Sequence, residues 1–121
     1  ADAISAINTV VGMSINIKTL KPNLYTTMGG LSGPAIKPIA IANIYKIYKK
    51  VSIPIIGMGG IACADDIIEF ILAGAQLVQI GTSNYKYPDI SVRLIKDLKK
   101  YCISNKIDNI MDLKGQLSTY E

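Results

Sequence analysis

Pro54-Ile55-Ile56-Gly57-Met58-Gly59-Gly60-Ile61 is the stretch that decides the fold. Its first five residues form a short apolar run with no polar face. Strands buried on both sides of a parallel sheet read this way, whereas a strand with one wet face alternates. Gly59-Gly60-Ile61 reads as the loop that follows. Ala64 to Ala73 then reads as a helix, with Asp65 and Asp66 in its first turn, where carboxylates complement the helix dipole. Gly74 fits the left-handed residue that ends many helices.

The same unit recurs on both sides. Upstream, Ala3-Ile4-Ser5-Ala6-Ile7 reads as a buried strand, followed by Asn8-Thr9. Met13 to Thr27 alternates weakly around Lys21-Pro22-Asn23, which predicts a small hairpin inserted in a loop. Gly29-Gly30-Leu31-Ser32-Gly33 is expected to be a flexible loop. Pro34 to Lys50 reads as a helix with Ile36, Ile39, Ala40, Ile44 and Ile47 along its apolar stripe and Asn43 at the edge. Pro38 falls near the first turn, where a missing N–H is tolerated. Downstream, Leu77-Val78-Gln79-Ile80 is the third strand and Gly81-Thr82 its loop. Asp89 to about Asn105 is a helix with Ile90, Leu94, Leu98 and Tyr101 on one stripe, and Ile110 to Leu113 is a short helical turn.

Three successive β-loop-α units predict a parallel α/β sheet with right-handed crossovers. Three strands cannot close a barrel, and both end strands are as apolar as the middle one. A bare hydrophobic edge invites aggregation. The expected architecture is therefore the C-terminal three βα units of a (β/α)8 TIM barrel, which needs about 250 residues. Residues 1–121 would be one part of that barrel, with further chain upstream of Ala1, and alone they are expected to aggregate, self-pair or stay partly molten.

Composition narrows the chemistry. Half of the 121 residues are hydrophobic, which excludes a solvating or disordered tail. Pro and Gly break the apolar runs before the roughly 18 residues of a membrane span. The net charge is +4, from twelve Lys and one Arg against nine acids, but the Lys are scattered and not interleaved with aromatics, so no nucleic-acid partner is expected. The absence of His excludes His-based catalysis and His-ligated metals. Cys63 and Cys102 form neither a metal spacing nor a disulfide framework, so no metal and a reduced, intracellular compartment are expected.

Every strand ends in a small, uncharged loop rich in glycine. Glycine lets backbone N–H groups approach phosphate oxygens, and a Thr hydroxyl adds a donor. Gly59-Gly60, Gly81-Thr82 and Gly33 are thus candidates for one phosphate or dinucleotide-like site, with helix N-termini pointing at it. Any single glycine pair reads first as a tight turn; three at successive strand ends favour the site. Asn8 and Thr9 read either as a turn or as a polar pair reaching a planar substrate. Cys63 sits where a thiolate is favoured, but without a nearby base it reads as a small helix cap. Lys37 could meet a phosphate, though a packing or solvated role is favoured, and Cys102 reads as an indifferent helix residue.

Ile7-Asn8-Thr9, Gly29 to Pro38, Ile53 to Ile61, Ala73-Gly74-Ala75 and Gln79-Ile80-Gly81-Thr82, in this order and spacing, resemble dihydroorotate dehydrogenase. The Gly-Gly-Leu-Ser-Gly-Pro-Ala and Gly-Met-Gly-Gly wordings resemble the class 1B catalytic subunits. The resemblance implies FMN, with Gly33, Gly59, Gly60, Gly81 and Thr82 at its phosphate and ribityl chain and Ile7 against it. It implies Asn8 and Thr9 on dihydroorotate or orotate. It implies a cytoplasmic enzyme of pyrimidine synthesis, homodimeric when full-length, passing electrons to NAD through a partner subunit carrying FAD and an iron–sulfur centre. The family's catalytic Cys and its flavin-supporting Lys lie upstream, so neither is Cys63, Cys102 or a Lys of this chain, and these residues alone would not turn over. Two other readings stand behind it. One is another FMN-binding barrel such as the dihydropyrimidine dehydrogenase catalytic domain, which usually differs at positions 81 and 82. The other is an inactive, phosphate-binding half-barrel.

Overall fold

A computed structural model describes residues 1–120. Strands β1 (Ile4–Ala6), β6 (Ile55–Met58) and β7 (Leu77–Gln79) form one parallel sheet in the order β1-β6-β7. Ser5 stands opposite Ile56, and Ile56 opposite Leu77. Helix α1 (Lys37–Tyr48) lies between β1 and β6 in sequence, and α2 (Ala64–Ala73) between β6 and β7. Helix α4 (Ile90–Ser104) follows and packs against α2. The expected parallel α/β order is therefore present.

The core fills one side of this sheet. Ile55 from β6, Ala40 and Ile44 from α1, Ile67, Phe70 and Ile71 from α2, and Ile90 and Leu94 from α4 are buried together. Gly57 is required here. A Cβ at that position would stand 2.5 Å from Cδ1 of Phe70, whose ring fills the space between sheet and helix. The opposite face carries Ser5, Ile56, Met58, Leu77 and Gln79, by the strand alternation. Leu77 is 61% exposed, and Ser5 Oγ donates to Gln79 Oε1 at 3.4 Å. The outer strands thus differ from the expectation of two apolar faces: Ser5 and Gln79 put polar side chains on the open face, and even β6 is buried only at Ile55 and Gly57.

Several local expectations are corrected. Gly29–Leu31 is a strand, β5, paired antiparallel with β2 (Val10–Gly12). Backbone pairing needs no side chain, and the glycines fit because Leu24 and Thr9 occupy the places where their Cβ atoms would stand. The inserted hairpin exists, but β3 (Ile15–Asn16) and β4 (Lys21–Pro22) put its turn at residues 17–20. Asn16 Oδ1 sets that turn by accepting from the N–H groups of Lys18 (3.0 Å) and Thr19 (3.2 Å). Lys21-Pro22 is strand, as Pro at a sheet edge allows. The first helix opens with a tighter turn at Pro34–Ile36 and stops at Tyr48. Ile39 is 45% exposed and leaves the stripe, while Ile41 packs against the core in its place. A one-turn helix, α3 (Ser83–Lys86), was not expected. Gly74 ends α2 at φ 118°, in the left-handed region as expected. No helix among the described residues is long and apolar enough to cross a membrane.

Candidate functional site

Parallel strands bring their C-terminal ends to one edge. There Ile7, Gly59 and Ile80 leave the sheet side by side, and a cleft of about 570 Å³ opens between the loops. Ile7, Thr9, Ser32, Gly33, Gly59, Gly60, Gly81, Thr82 and Tyr85 are among its walls. Every expected site residue except Asn8 is in that lining. Among the described residues no Asp, Glu, Lys or Arg lines the cleft, so its polar groups are backbone amides, hydroxyls and the Gln79 amide.

The loops interlock. Gly60 has φ 80°, and a Cβ there would lie 2.8 Å from the carbonyl oxygen of Gly33 and 2.9 Å from the backbone nitrogen of Lys37. Only glycine combines this φ with that approach. Gly59, at φ 126°, is closed in by Ala40, whose Cβ would be 2.9 Å from an added Cβ. Gly81 is different: nothing lies within 4 Å of the position its Cβ would take. Thr82 Oγ1 donates to Ser32 Oγ at 2.7 Å, joining the third loop to the first. Ser83 Oγ donates to the Ile61 carbonyl at 2.7 Å, joining it to the second.

At the start of α2 the Asp66 carboxylate already stands, its Oδ2 accepting from the N–H groups of Ala62 (2.8 Å) and of the cap residue Cys63 (3.0 Å) just ahead of the helix. The helix after Gly81-Thr82 is the single turn α3. The glycines that line the cleft belong to the loops.

Asn8 is exposed, and its Oδ1 accepts from the Thr9 N–H at 2.7 Å. Its oxygen serves the local turn, which leaves the Nδ2 group as the donor for anything else. Cys63 takes the N-cap position of α2, and burial pushes its thiol above the ordinary value, opposite to an activated nucleophile. Cys102 is half-buried on α4, in a shallow groove with Leu98 and Ile110, away from the cleft. Lys37 does not face the cleft. Its Nζ lies 2.6 Å from Asp66 Oδ1 and 2.7 Å from Glu69 Oε1, and these two acids hold the ammonium above its ordinary range. Burial pushes the Asp66 carboxyl up, but the Lys37 ammonium and the two backbone amides outweigh it, and the net direction is down. No group of three or more metal-ligating side chains stands together among the described residues.

Sequence reasoning missed Ser32 and Tyr85 in the lining, and the ties of Asp66. Ser32 adjoins Gly33, so the loop was found without its hydroxyl. Asp66 stands three residues after the cap position, the spacing at which a side chain returns to the helix start.

The uncharged cradle fits a phosphate ester. Bare amides and hydroxyls supply donors, and the space beside Gly81, which a Cβ would occupy, is free.

Comparison with known proteins gives the setting. A family model described as dihydroorotate dehydrogenase matches residues 1–102. A protein of Desulforamulus reducens named dihydroorotate dehydrogenase B (NAD(+)), catalytic subunit, is 51% identical over 115 residues, covering 95% of this chain and 38% of its own length. One of the same name from Malacoplasma penetrans is 50% identical over 116 residues, 96% of this chain and 38% of its own. Among solved structures, the crystal structure of the Eimeria tenella DHODH in complex with ferulenol superposes with a TM-score of 0.78 at 27% identity, covering 95% of this chain and 31% of that one. The chain thus spans well under half the length of these relatives. With its family model covering most of its residues and its strands, loops and helices matching over nearly all of it, the chain belongs to the dihydroorotate dehydrogenase family.

Proposed function

We propose that this chain forms the C-terminal three βα units of a (β/α)8 barrel that oxidises dihydroorotate to orotate with FMN, and that its cleft holds the phosphate and ribityl end of the flavin. The observation that carries the reading is the meeting of Gly33, Gly59-Gly60 and Gly81-Thr82 in one uncharged cleft at the C-terminal ends of parallel strands. Phosphate sites of α/β barrels lie there. When bound, FMN supplies the hydride acceptor.

The chain's own residues bind, orient and exclude water. Amides of Gly59, Gly60 and Gly81 donate to the phosphate, and the Thr82 hydroxyl joins them by turning its one proton from Ser32 Oγ to the ester. Ile7, with Met58 and Ile80, lines the cleft with apolar surface against the flavin. Asn8 and Thr9 stand at the end of β1, where the Asn8 Nδ2 group and the Thr9 hydroxyl can meet the polar edge of the substrate. No residue of this chain serves as the base; a Cys upstream takes the substrate proton. The relatives' name, a catalytic subunit linked to NAD(+), supports a partner subunit for electron transfer; that this partner carries FAD and an iron–sulfur centre is what the family resemblance implies. The same family supports a homodimer in the cytoplasm.

Gly81→Val in the full-length protein tests the reading. Nothing surrounds that Cβ, so the fold tolerates the change while two methyl groups enter the cleft. The purified variant is expected to lose its visible flavin absorbance with the melting temperature of the apoprotein unchanged. Full flavin occupancy contradicts the assignment. Gly59→Val is less informative, because its clash with Ala40 disturbs the core as well.

A further inference from the structure

The seam between α1 and α2 carries a charged cluster that lines no part of the cleft. Lys37 opens α1 and reaches Asp66 and Glu69 on α2. Asp66 is 7% exposed, the one buried charged residue among those described. One of its oxygens faces the Lys37 ammonium; the other accepts from Ala62 and Cys63, the residues that end the loop begun at Gly59. The backbone of Lys37 meets the same loop from its flank, its nitrogen and Cβ both 2.9 Å from the place of a Gly60 Cβ. Asp66 thus grips the loop at its end, the first residue of α1 grips its side, and the ion pair ties the two grips together. The other ion pairs, Arg93–Asp89 and Lys100–Asp97, are exposed and lie at or within α4.

We propose that Lys37 and Asp66 are positioning residues whose ion pair fixes the Gly59-Gly60 backbone against Gly33, at the spacing the phosphate ester requires. The inference rests on the cleft being the site of the FMN phosphate. The pair touches no ligand and acts through the loop. Asp66 also answers the positive end of α2.

The test uses the full-length apoprotein, titrated with FMN and separately with riboflavin, which lacks the phosphate. Asp66→Asn keeps the side-chain volume and removes the charge. Lys37→Met removes the ammonium and leaves Asp66 on its two amides. Each is expected to weaken FMN binding roughly tenfold while riboflavin binding stays within about twofold, with Lys37→Arg restoring most of the preference. Amide hydrogen exchange is expected to quicken at residues 59–63 and not in α4. An unchanged ratio of FMN to riboflavin affinity, or equal loss of both ligands, overturns the inference. Should Asp66→Asn fail to fold, the Lys37→Met and Lys37→Arg ratios decide. A wild-type protein with no preference for FMN overturns the phosphate reading itself, an outcome distinct from a preference that survives the variants.

Discussion

Gly59-Gly60 and Gly81-Thr82 end neighbouring strands and look alike in sequence, yet they are built oppositely. The first loop is crowded: both glycines have positive φ, and Ala40, Gly33 and Lys37 close in on the missing Cβ atoms. The second is bare, with no atom within 4 Å of the Gly81 Cβ position and its Thr82 hydroxyl on Ser32. Glycine is needed at the first for backbone conformation and packing, and at the second for the room it leaves. A glycine-rich loop is therefore not one signal. Substitutions separate the two roles.

The largest effect is expected at the crowded loop. Gly60→Ala places a Cβ against a backbone carbonyl at a φ that L-residues rarely adopt, and should destabilise the full-length protein by roughly 2–4 kcal/mol, read by urea unfolding. An unchanged unfolding midpoint would equate the two loops. Next comes Gly81→Val, where stability should hold within about 0.5 kcal/mol, as for an exposed site, while flavin is lost. A smaller effect is expected at Asn8, whose oxygen is engaged with Thr9. Losing its Nδ2 bond to a substrate would cost about 1–3 kcal/mol, so Asn8→Ala should lower kcat/KM for dihydroorotate by roughly 5- to 150-fold with flavin retained. Unchanged kinetics would leave Asn8 as a turn residue only.

The smallest expected effect is a pH dependence of the clamp. The Asp66 carboxyl is held below its ordinary value, so its stabilisation is complete above the usual carboxylate range and is lost as pH falls through the lowered value. The Lys37 ammonium is held above its ordinary value, so its share is complete below that value and is lost only as pH rises through the raised one. Asp66→Asn should flatten the acid limb of the stability profile and leave neutral pH to alkaline behaviour governed by Lys37 and Glu69. An acid limb of unchanged slope would show that the pair adds nothing in solution.

The sheet and its helices were legible because their signals are local. The apolar run at Ile55-Ile56, the stripe through Ala40 and Ile44, and the stop at Gly74 each follow from neighbouring residues. Pairing of β2 with β5 was not legible, because it joins segments across the whole inserted hairpin and its glycines carry no side-chain pattern. The hairpin turn was misplaced because Pro22 is a strong turn signal, while Asn16, the residue that sets the turn, is a weaker one. For the candidate site, the glycine loops could be found but not told apart. Crowding around Gly60 comes from Gly33 and Lys37, distant in sequence, and so does the bond from Lys37 to Asp66.

The most direct measurement is a crystal structure of the full-length protein loaded with FMN. The expected result places phosphate oxygens at about 2.7–3.2 Å from backbone nitrogens of the Gly59-Gly60 and Gly81-Thr82 loops, with Lys37 still on Asp66 and away from the phosphate. A phosphate lying outside this cleft, or one held by the Lys37 ammonium released from Asp66, would contradict the claim.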